Sequence, residues 1–404
     1  MNRKSLSIFV LLTIISILLT TCDKMPASQK LYRSTPKHLG MDAKQLKHID
    51  VIIEKAIRDK KLPGAVLLVA RKDGIVVHKA YGNFQVTPDV QPMTTEKMFD
   101  MASVTKPVAT ATSIMILVEQ GKIRLMDPVT KYIAEYTPYY YEDGRAAEPI
   151  RLYHLLTHTS GLPPYTNAGA LKEQYGEPCS KELIQNIATI EKQNPPGKHF
   201  AYSCLGFITL AEIIQRVSGL NIGEFSKKYI FEPLQMNSTM FCPPEEYLPR
   251  IAPTEVFNGI PLKGKVHDPL AQLMGGLSGN AGLFSSADDL AIFCQMMLNG
   301  GTYDGVRIIS PLTVKAMMAV YPDLAFAGRG LGWDVNSAYS SNMGDIFSKS
   351  SYGHTGFTGT SIVIDPETET FVILLTNSVH LPEGNVIALR SKIANIVAGS
   401  IVDP

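Results

Sequence analysis

The 404-residue chain carries almost no net charge: 38 Lys and Arg against 37 Asp and Glu leave +1. No basic run follows the first residues, so the phosphate-neutralising stripe that a nucleic-acid partner requires is missing. Cysteine is scarce as well. Five cysteines over this length, with no C-x-x-C, exclude a disulfide-built scaffold and leave any pairing among Cys179, Cys204, Cys242 and Cys294 open. There is no G-x-S-x-G elbow, no internal repeat and no low-complexity segment. The apolar stretch from Leu6 to Leu19 falls short of the roughly 20 residues a membrane-spanning helix needs. What remains is an ordinary globular composition, 45% hydrophobic and 19% charged. The chain is long enough for a large core in one or two domains.

The N-terminus reads as an address. Arg3 and Lys4 precede the apolar stretch, which has the length of a secretory h-region. It ends in Leu19-Thr-Thr-Cys22, which resembles the lipobox of bacterial lipoproteins, with Thr21 standing where a small Gly, Ala or Ser is usual. The resemblance implies cleavage before Cys22 and diacylglycerol on its sulfur; an uncleaved anchor or plain secretion is the alternative. Residues 23 to 37 are polar, with Pro26 and Pro36, and read as a tether. The expected division is a signal segment 1–21, a lipidated tether 22–37 and a folded domain 38–404. That domain then faces the cell envelope, held to a membrane through Cys22.

Within it, Asp42 can cap a helix to about Lys60, with Leu46, Ile49, Ile53 and Ile57 on one face. Apolar runs 65–71 and 75–80, joined through Lys72-Asp73-Gly74, read as a β-hairpin with Asp-Gly as its turn. Ser103 opens a helix of about five turns closing at Gly121, with Pro107 in the tolerated first turn. Residues 125–250 are mostly helical in pattern with proline-rich loops, including an amphipathic helix from Leu205 to Val217. Ser285-Ser-Ala-Asp288 reads as a capping box opening a helix to Leu298. Runs 361–364 and 371–375 read as strands, and 386–398 as a last helix. Strands at both ends with helices between predict an α+β fold, an antiparallel sheet built from both chain ends with a helical subdomain inserted.

The chemistry concentrates in three triplets. Ser103-Val-Thr-Lys106 puts a hydroxyl and an amine one helical turn apart. A serine is a poor nucleophile until a base takes its proton, and a desolvated lysine can be that base. Taken alone, the pair could be a helix cap and a solvated charge. Tyr202-Ser-Cys204 and His354-Thr-Gly356 follow in the order S-x-x-K, Y-x-x, [KH]-T-G found in penicillin-recognising serine hydrolases.

With these triplets the chain resembles the serine β-lactamase and DD-peptidase superfamily, on the branch of class C β-lactamases, low-molecular-mass penicillin-binding proteins and related esterases. Leu62-Pro-Gly64, Leu117-Val-Glu-Gln-Gly121, His154-Leu-Leu-Thr-His-Thr-Ser-Gly-Leu162, Val266-His-Asp268 and Ala281-Gly-Leu-Phe284 match that branch too. The resemblance implies that Ser103 is acylated, that Lys106 takes or relays its proton, and that Tyr202 serves as general acid and base. It places the oxyanion between the backbone N–H groups of Ser103 and Phe357. Thr355 offers a hydroxyl to a substrate carboxylate, and Gly356 lets the substrate lie close to its strand. No metal or cofactor is implied.

Two residues depart from the pattern. Cys204 replaces an Asn whose amide would hold a peptide-like group, and a thiol is a weak donor and acceptor. His354 replaces a Lys, and a histidine is only partly charged near neutrality. A His354→Lys variant is therefore expected to use carboxylate-bearing substrates better. Three functions stay open: a DD-carboxypeptidase-like hydrolase of peptidoglycan-derived peptide, an esterase on small acyl esters, or a non-catalytic penicillin-binding-like lipoprotein. The oligomeric state is not legible. His154 and His158 have zinc-pair spacing without the Glu of a zincin or an evident third ligand. His267-Asp268 suggests a triad, yet adjacent residues in a strand point apart. Cys204 could be a reactive thiol or a small buried residue. Met274, Met296 and Met297 read as core filler.

Overall fold

The computed structural model describes residues 30–403. The signal segment and Cys22 lie outside the described residues. The strands are β1 (Tyr32–Arg33), β2 (Gly64–Arg71), β3 (Gly74–Gln85), β4 (Gln91–Pro92), β5 (Phe99–Asp100), β6 (Met240–Phe241), β7 (Val256–Phe257) and β8 (Ile260–Pro261). They continue with β9 (Leu283–Ser285), β10 (Thr302–Tyr303), β11 (Val306–Arg307), β12 (Tyr352–Thr355), β13 (Ser361–Asp365) and β14 (Thr370–Leu375). The main sheet has the order β1-β3-β2-β14-β13-β12, with β4 on β3. Every neighbour except β1 on β3 pairs antiparallel. N-terminal and C-terminal strands meet at β2 and β14, in the register Val66↔Leu375.

The central strands are continuous apolar runs because both faces of the sheet are covered. Along β2, Val66, Leu68 and Ala70 enter one core with Ile114, Leu290 and Phe293. Ala65, Leu67 and Val69 enter a second core with Ile49, Ile53, Leu389 and Ile393. Helices 48–58 and 387–398 therefore cover one face, and helices 112–119, 204–218 and 287–298 the other. Met296 and Met297 are buried in the larger core, and Met274 packs against that core partly exposed.

Local details differ from the expectation in instructive ways. The chain joins the fold earlier than the tether assignment allowed: β1 pairs with β3, and the Leu31 N–H donates to Tyr303 Oη. The first helix is split at Lys47 into Ala43–Leu46 and His48–Arg58. The hairpin turn is Lys72-Asp73, both with positive φ, while Gly74 already pairs in β3. The cap expected at Ser285 is Ser286, whose hydroxyl accepts from the Asp289 N–H. The helix expected from Ser103 opens as a 3₁₀ turn (Ala102–Val104), widens to a π-helical stretch (Lys106–Ala111) and becomes α-helical at Thr112–Glu119. Pro107 has no N–H to give to an α-helical ladder, and the Thr112 hydroxyl donates back to the Pro107 carbonyl.

Candidate active site

β5 pairs with β9 and delivers the chain into the turn that carries Ser103. Ala102 sits at φ 45°, a left-handed conformation that a non-glycine residue keeps only under restraint. The restraint is Asp100. Its carboxylate accepts from the Ala102 N–H at 2.8 Å and from the His267 N–H at 2.7 Å, and its carbonyl accepts from the Thr358 hydroxyl at 2.8 Å. One buried residue thus fastens the nucleophile turn to the 266–268 segment and to the loop after β12. Burial raises the Asp100 carboxyl, against the two amides that favour its anion.

Lys106 is fully buried. Its Nζ meets Ser103 Oγ at 3.0 Å, the Asn280 carbonyl at 2.9 Å and Cys204 Sγ at 3.7 Å. Burial disfavours its charge, while the anionic forms of Cys204 and Tyr202 pull the other way and hold the ammonium above the usual lysine range. Burial also raises the Cys204 thiol, so near neutrality the thiol is uncharged and that pull weakens. A neutral amine here can donate to Asn280 and Cys204 and point its lone pair at the Ser103 hydroxyl.

Tyr202 lies over this group, its ring centroid 5.1 Å from Lys106 Nζ. It is steadied by His158, whose ring is 4.3 Å away and whose Nδ1 accepts from the Ser203 N–H at 3.0 Å. His154 Nδ1 likewise accepts from the Arg151 N–H at 3.1 Å. The histidine pair with zinc-like spacing therefore spends these nitrogens on backbone. His267 stacks on Phe357 and pairs with Glu255 at 3.2 Å, while Asp268 caps helix 269–273; the two form no triad.

His354 is not the half-charged ligand that the sequence suggested. It is buried, and burial with the Arg329 and Lys106 charges pushes its basicity well below the ordinary histidine range. Nδ1 lies 2.8 Å from the Thr355 carbonyl, so Nδ1 carries the proton and Nε2 is left to accept from Arg329 Nη2 at 3.4 Å. The cation at this place is Arg329, itself buried and paired with Asp334 at 3.3 Å. The backbone of Asp334 pairs in both directions with Gly353, which sets the arginine beside the start of β12. A His354→Lys substitution would set a second cation against Arg329 and remove its acceptor. The structure thus reverses the expectation: kcat/KM on carboxylate-bearing substrates should fall about tenfold or more, with a lower Tm. A gain in activity would show that Arg329 is not the operating cation.

Gly356 is also required for a different reason. A Cβ there would lie 2.2 Å from Thr360 Oγ1 and 2.5 Å from the Met101 carbonyl, so the space is filled by the nucleophile turn. This contact brings Ser103 against the residues after β12. Among the described residues neither the Ser103 nor the Phe357 N–H has a hydrogen-bond partner, which leaves two donors free for an oxyanion. Ser103, Tyr202, Arg329, Thr355, Asn385 and Arg390 all line one cavity of about 520 Å³. Arg390 donates from Nη2 to the Gly356 and Thr360 carbonyls at 2.8 and 2.9 Å, pinning the β12–β13 turn. Cys204, next to Lys106, is not disulfide-bonded. Sequence reading missed Arg329, Asp334 and Arg390; the run Gly328-Arg-Gly-Leu-Gly-Trp-Asp334, with the chain's one tryptophan, was the available signal.

Four buried histidines, His154, His158, His354 and His380, give the fold a pH limit. Burial pulls His154 down to about 4, holds His158 and His354 well below the ordinary histidine range, and lowers His380 too. They stay neutral in the fold, whereas the unfolded chain protonates each below about 6.5. Stability is therefore lost as pH falls below that point, by up to about 1.4 kcal/mol per pH unit for each. Asp100 and Asp289, raised by burial (Asp289 to about 6), work the other way, two buried carboxyls against four histidines. The melting temperature should drop between pH 7 and pH 5; a constant or rising value would mean the histidines are charged in the fold.

A family model described as Beta-lactamase matches residues 49–394. A Salmonella agona protein provisionally named a D-alanyl-D-alanine carboxypeptidase is 32% identical over 382 residues, covering 88% of this chain and 88% of that one. Among solved structures, EstCE1, described as a hydrolase with promiscuous acyltransferase activity, matches with a TM-score of 0.71 at 23% identity, covering 88% of this chain and 99% of its own. The octameric penicillin-binding protein homologue of Pyrococcus abyssi matches at 0.66 with 27% identity, covering 87% and 76%.

Proposed function

This chain belongs to the beta-lactamase family and is a serine hydrolase, and from that premise we propose that it cleaves a peptide-like amide next to a C-terminal carboxylate, in the manner of a D-alanyl-D-alanine carboxypeptidase. One observation carries the choice: a buried guanidinium, Arg329, opens on the same cavity as Ser103. A desolvated arginine holds a carboxylate strongly and with fixed geometry, and Thr355 lines the same cavity, where it can add a hydroxyl.

In this reading Ser103 Oγ attacks the carbonyl while its proton passes to the Lys106 amine. The oxyanion is met by the Ser103 and Phe357 N–H groups. Lys106 or Tyr202 returns the proton to the departing amine as the C–N bond breaks. Water, deprotonated by the same base, then cleaves the ester on Ser103 and restores the hydroxyl. Cys204 favours a second reading, an esterase for small acyl esters, because it withdraws the amide that would grip a peptide on the acyl side. The substrate is accordingly a small, peptidoglycan-derived molecule or ester. We place the enzyme in the cell envelope, anchored through lipid on Cys22. Unaltered gel mobility of Cys22→Ala would remove the anchor from this account.

The test is intact mass after incubation with benzylpenicillin, beside D-alanine release from an N-acylated D-Ala-D-Ala. A Ser103-dependent adduct and released D-alanine are expected. Ester turnover with neither result would leave the esterase and overturn the peptidase.

A further inference from the structure

The catalytic cavity does not end at Phe357. A second cavity of about 580 Å³ shares Phe357, Val379 and Gly384 with it. The new walls are Val86, Val256, Leu381 and Pro382, with Glu255 and His380 as its titratable groups. Both are already engaged. His380 Nδ1 lies 2.9 Å from the Thr254 carbonyl and Nε2 accepts from the Val86 N–H at 3.1 Å, which fixes a neutral ring with no nitrogen to spare. Glu255 faces His267 at 3.2 Å. The chamber therefore presents more carbon than polar surface, though Glu255 keeps a carboxylate in its wall. Phe357, which lines both cavities, is 72% exposed, much apolar area for a residue beside a nucleophile.

The direction of the cleft follows from the strand. Arg329 sits at the start of β12, through the Asp334–Gly353 pairing, and the chamber lies past the other end of that strand. Of the two oxyanion donors, Ser103 lines the first cavity with Arg329, and Phe357 lines both cavities. A substrate whose carboxylate is held at Arg329 and whose carbonyl lies between those amides runs on beyond Phe357. We infer that the chamber between Val86, Val256, Phe357 and Leu381 is an acyl-side subsite that receives a linear apolar substituent of the group transferred to Ser103. The inference rests on the acyl-serine reading above and adds the half of the substrate that remains on the enzyme after the leaving group departs.

Chain-length dependence tests it without requiring any variant to fold. kcat/KM on p-nitrophenyl acetate, butyrate and hexanoate should rise about fourfold per added CH₂, the gain for a buried methylene. Val256→Asp and Leu381→Asp, made separately, should pull the hexanoate-to-acetate ratio toward one. A flat wild-type series that still requires Ser103 overturns the subsite and leaves the hydrolase intact. A rising series with the ratio unmoved in both variants also overturns it, since the chain is then buried elsewhere. Ester turnover that survives Ser103→Ala overturns both the subsite and the reading beneath it.

Discussion

Ser103→Ala should lower kcat/KM by about 10⁴-fold or more on every substrate the enzyme uses, the scale of losing a nucleophile. The substitution takes away one oxygen and disturbs little else. Lys106 keeps the Asn280 carbonyl and Cys204 as acceptors, the Ala102–Asp100 bond that shapes the turn is backbone to carboxylate, and both oxyanion amides remain. Tm should accordingly shift by a few degrees at most, and acylation by benzylpenicillin should vanish from the mass spectrum. Residual activity above about one part in a hundred would point to another nucleophile. Cys204, 3.7 Å from the same amine, is the first to examine, by alkylation of the Ser103→Ala protein.

Arg329→Ala should cost about 10²-fold or more in kcat/KM on carboxylate-terminated substrates, the scale of removing one partner of a desolvated charge pair. The same substrates with the carboxylate amidated, and neutral esters, should change much less. That contrast separates a ligand of the carboxylate from a mere pillar of the fold. The structure makes the contrast readable, because Asp334 is not orphaned by the change: it still accepts from the Ser337 N–H and hydroxyl and from the Ser340 hydroxyl, at 3.2, 2.8 and 3.2 Å. A second signature is spectroscopic. The Arg329 charge is one of the groups that depress His354, so its removal should move the His354 titration upward. Equal losses on carboxylate and amide substrates would assign Arg329 to architecture.

The sequence carried the sheet and the nucleophile further than it carried the pocket. Apolar runs at 65–71 and 371–375 predict strands because both faces of β2 and β14 are covered, and helix 204–218 shows its amphipathic face and glycine stop. The Ser103–Lys106 pair is local, one turn apart, so spacing suffices to join them. Arg329 was invisible for the opposite reason. Its meaning depends on Gly353, reached through a backbone pairing, and on His354, whose burial turns a nominal cation into an acceptor. Gly356 was legible as essential, but its cause, the approach of Met101 and Thr360, lies between segments more than 250 residues apart. The π-helical stretch was likewise hidden, since Pro107 alone is compatible with an ordinary first turn.

The seam between β2 and β14, which joins residues 66 and 375, has a consequence for synthesis. Ser103 leaves the ribosome with its lysine beside it, yet the turn after β12 that supplies the second oxyanion amide follows about 250 residues later. At ordinary elongation speeds that interval is on the order of tens of seconds. During it the nascent chain carries a nucleophile and no enzyme. A polypeptide that stops between Tyr202 and Tyr352 retains Ser103, Lys106 and Tyr202 and stays inert, so hydrolysis begins only after translation has reached the last strands of the sheet.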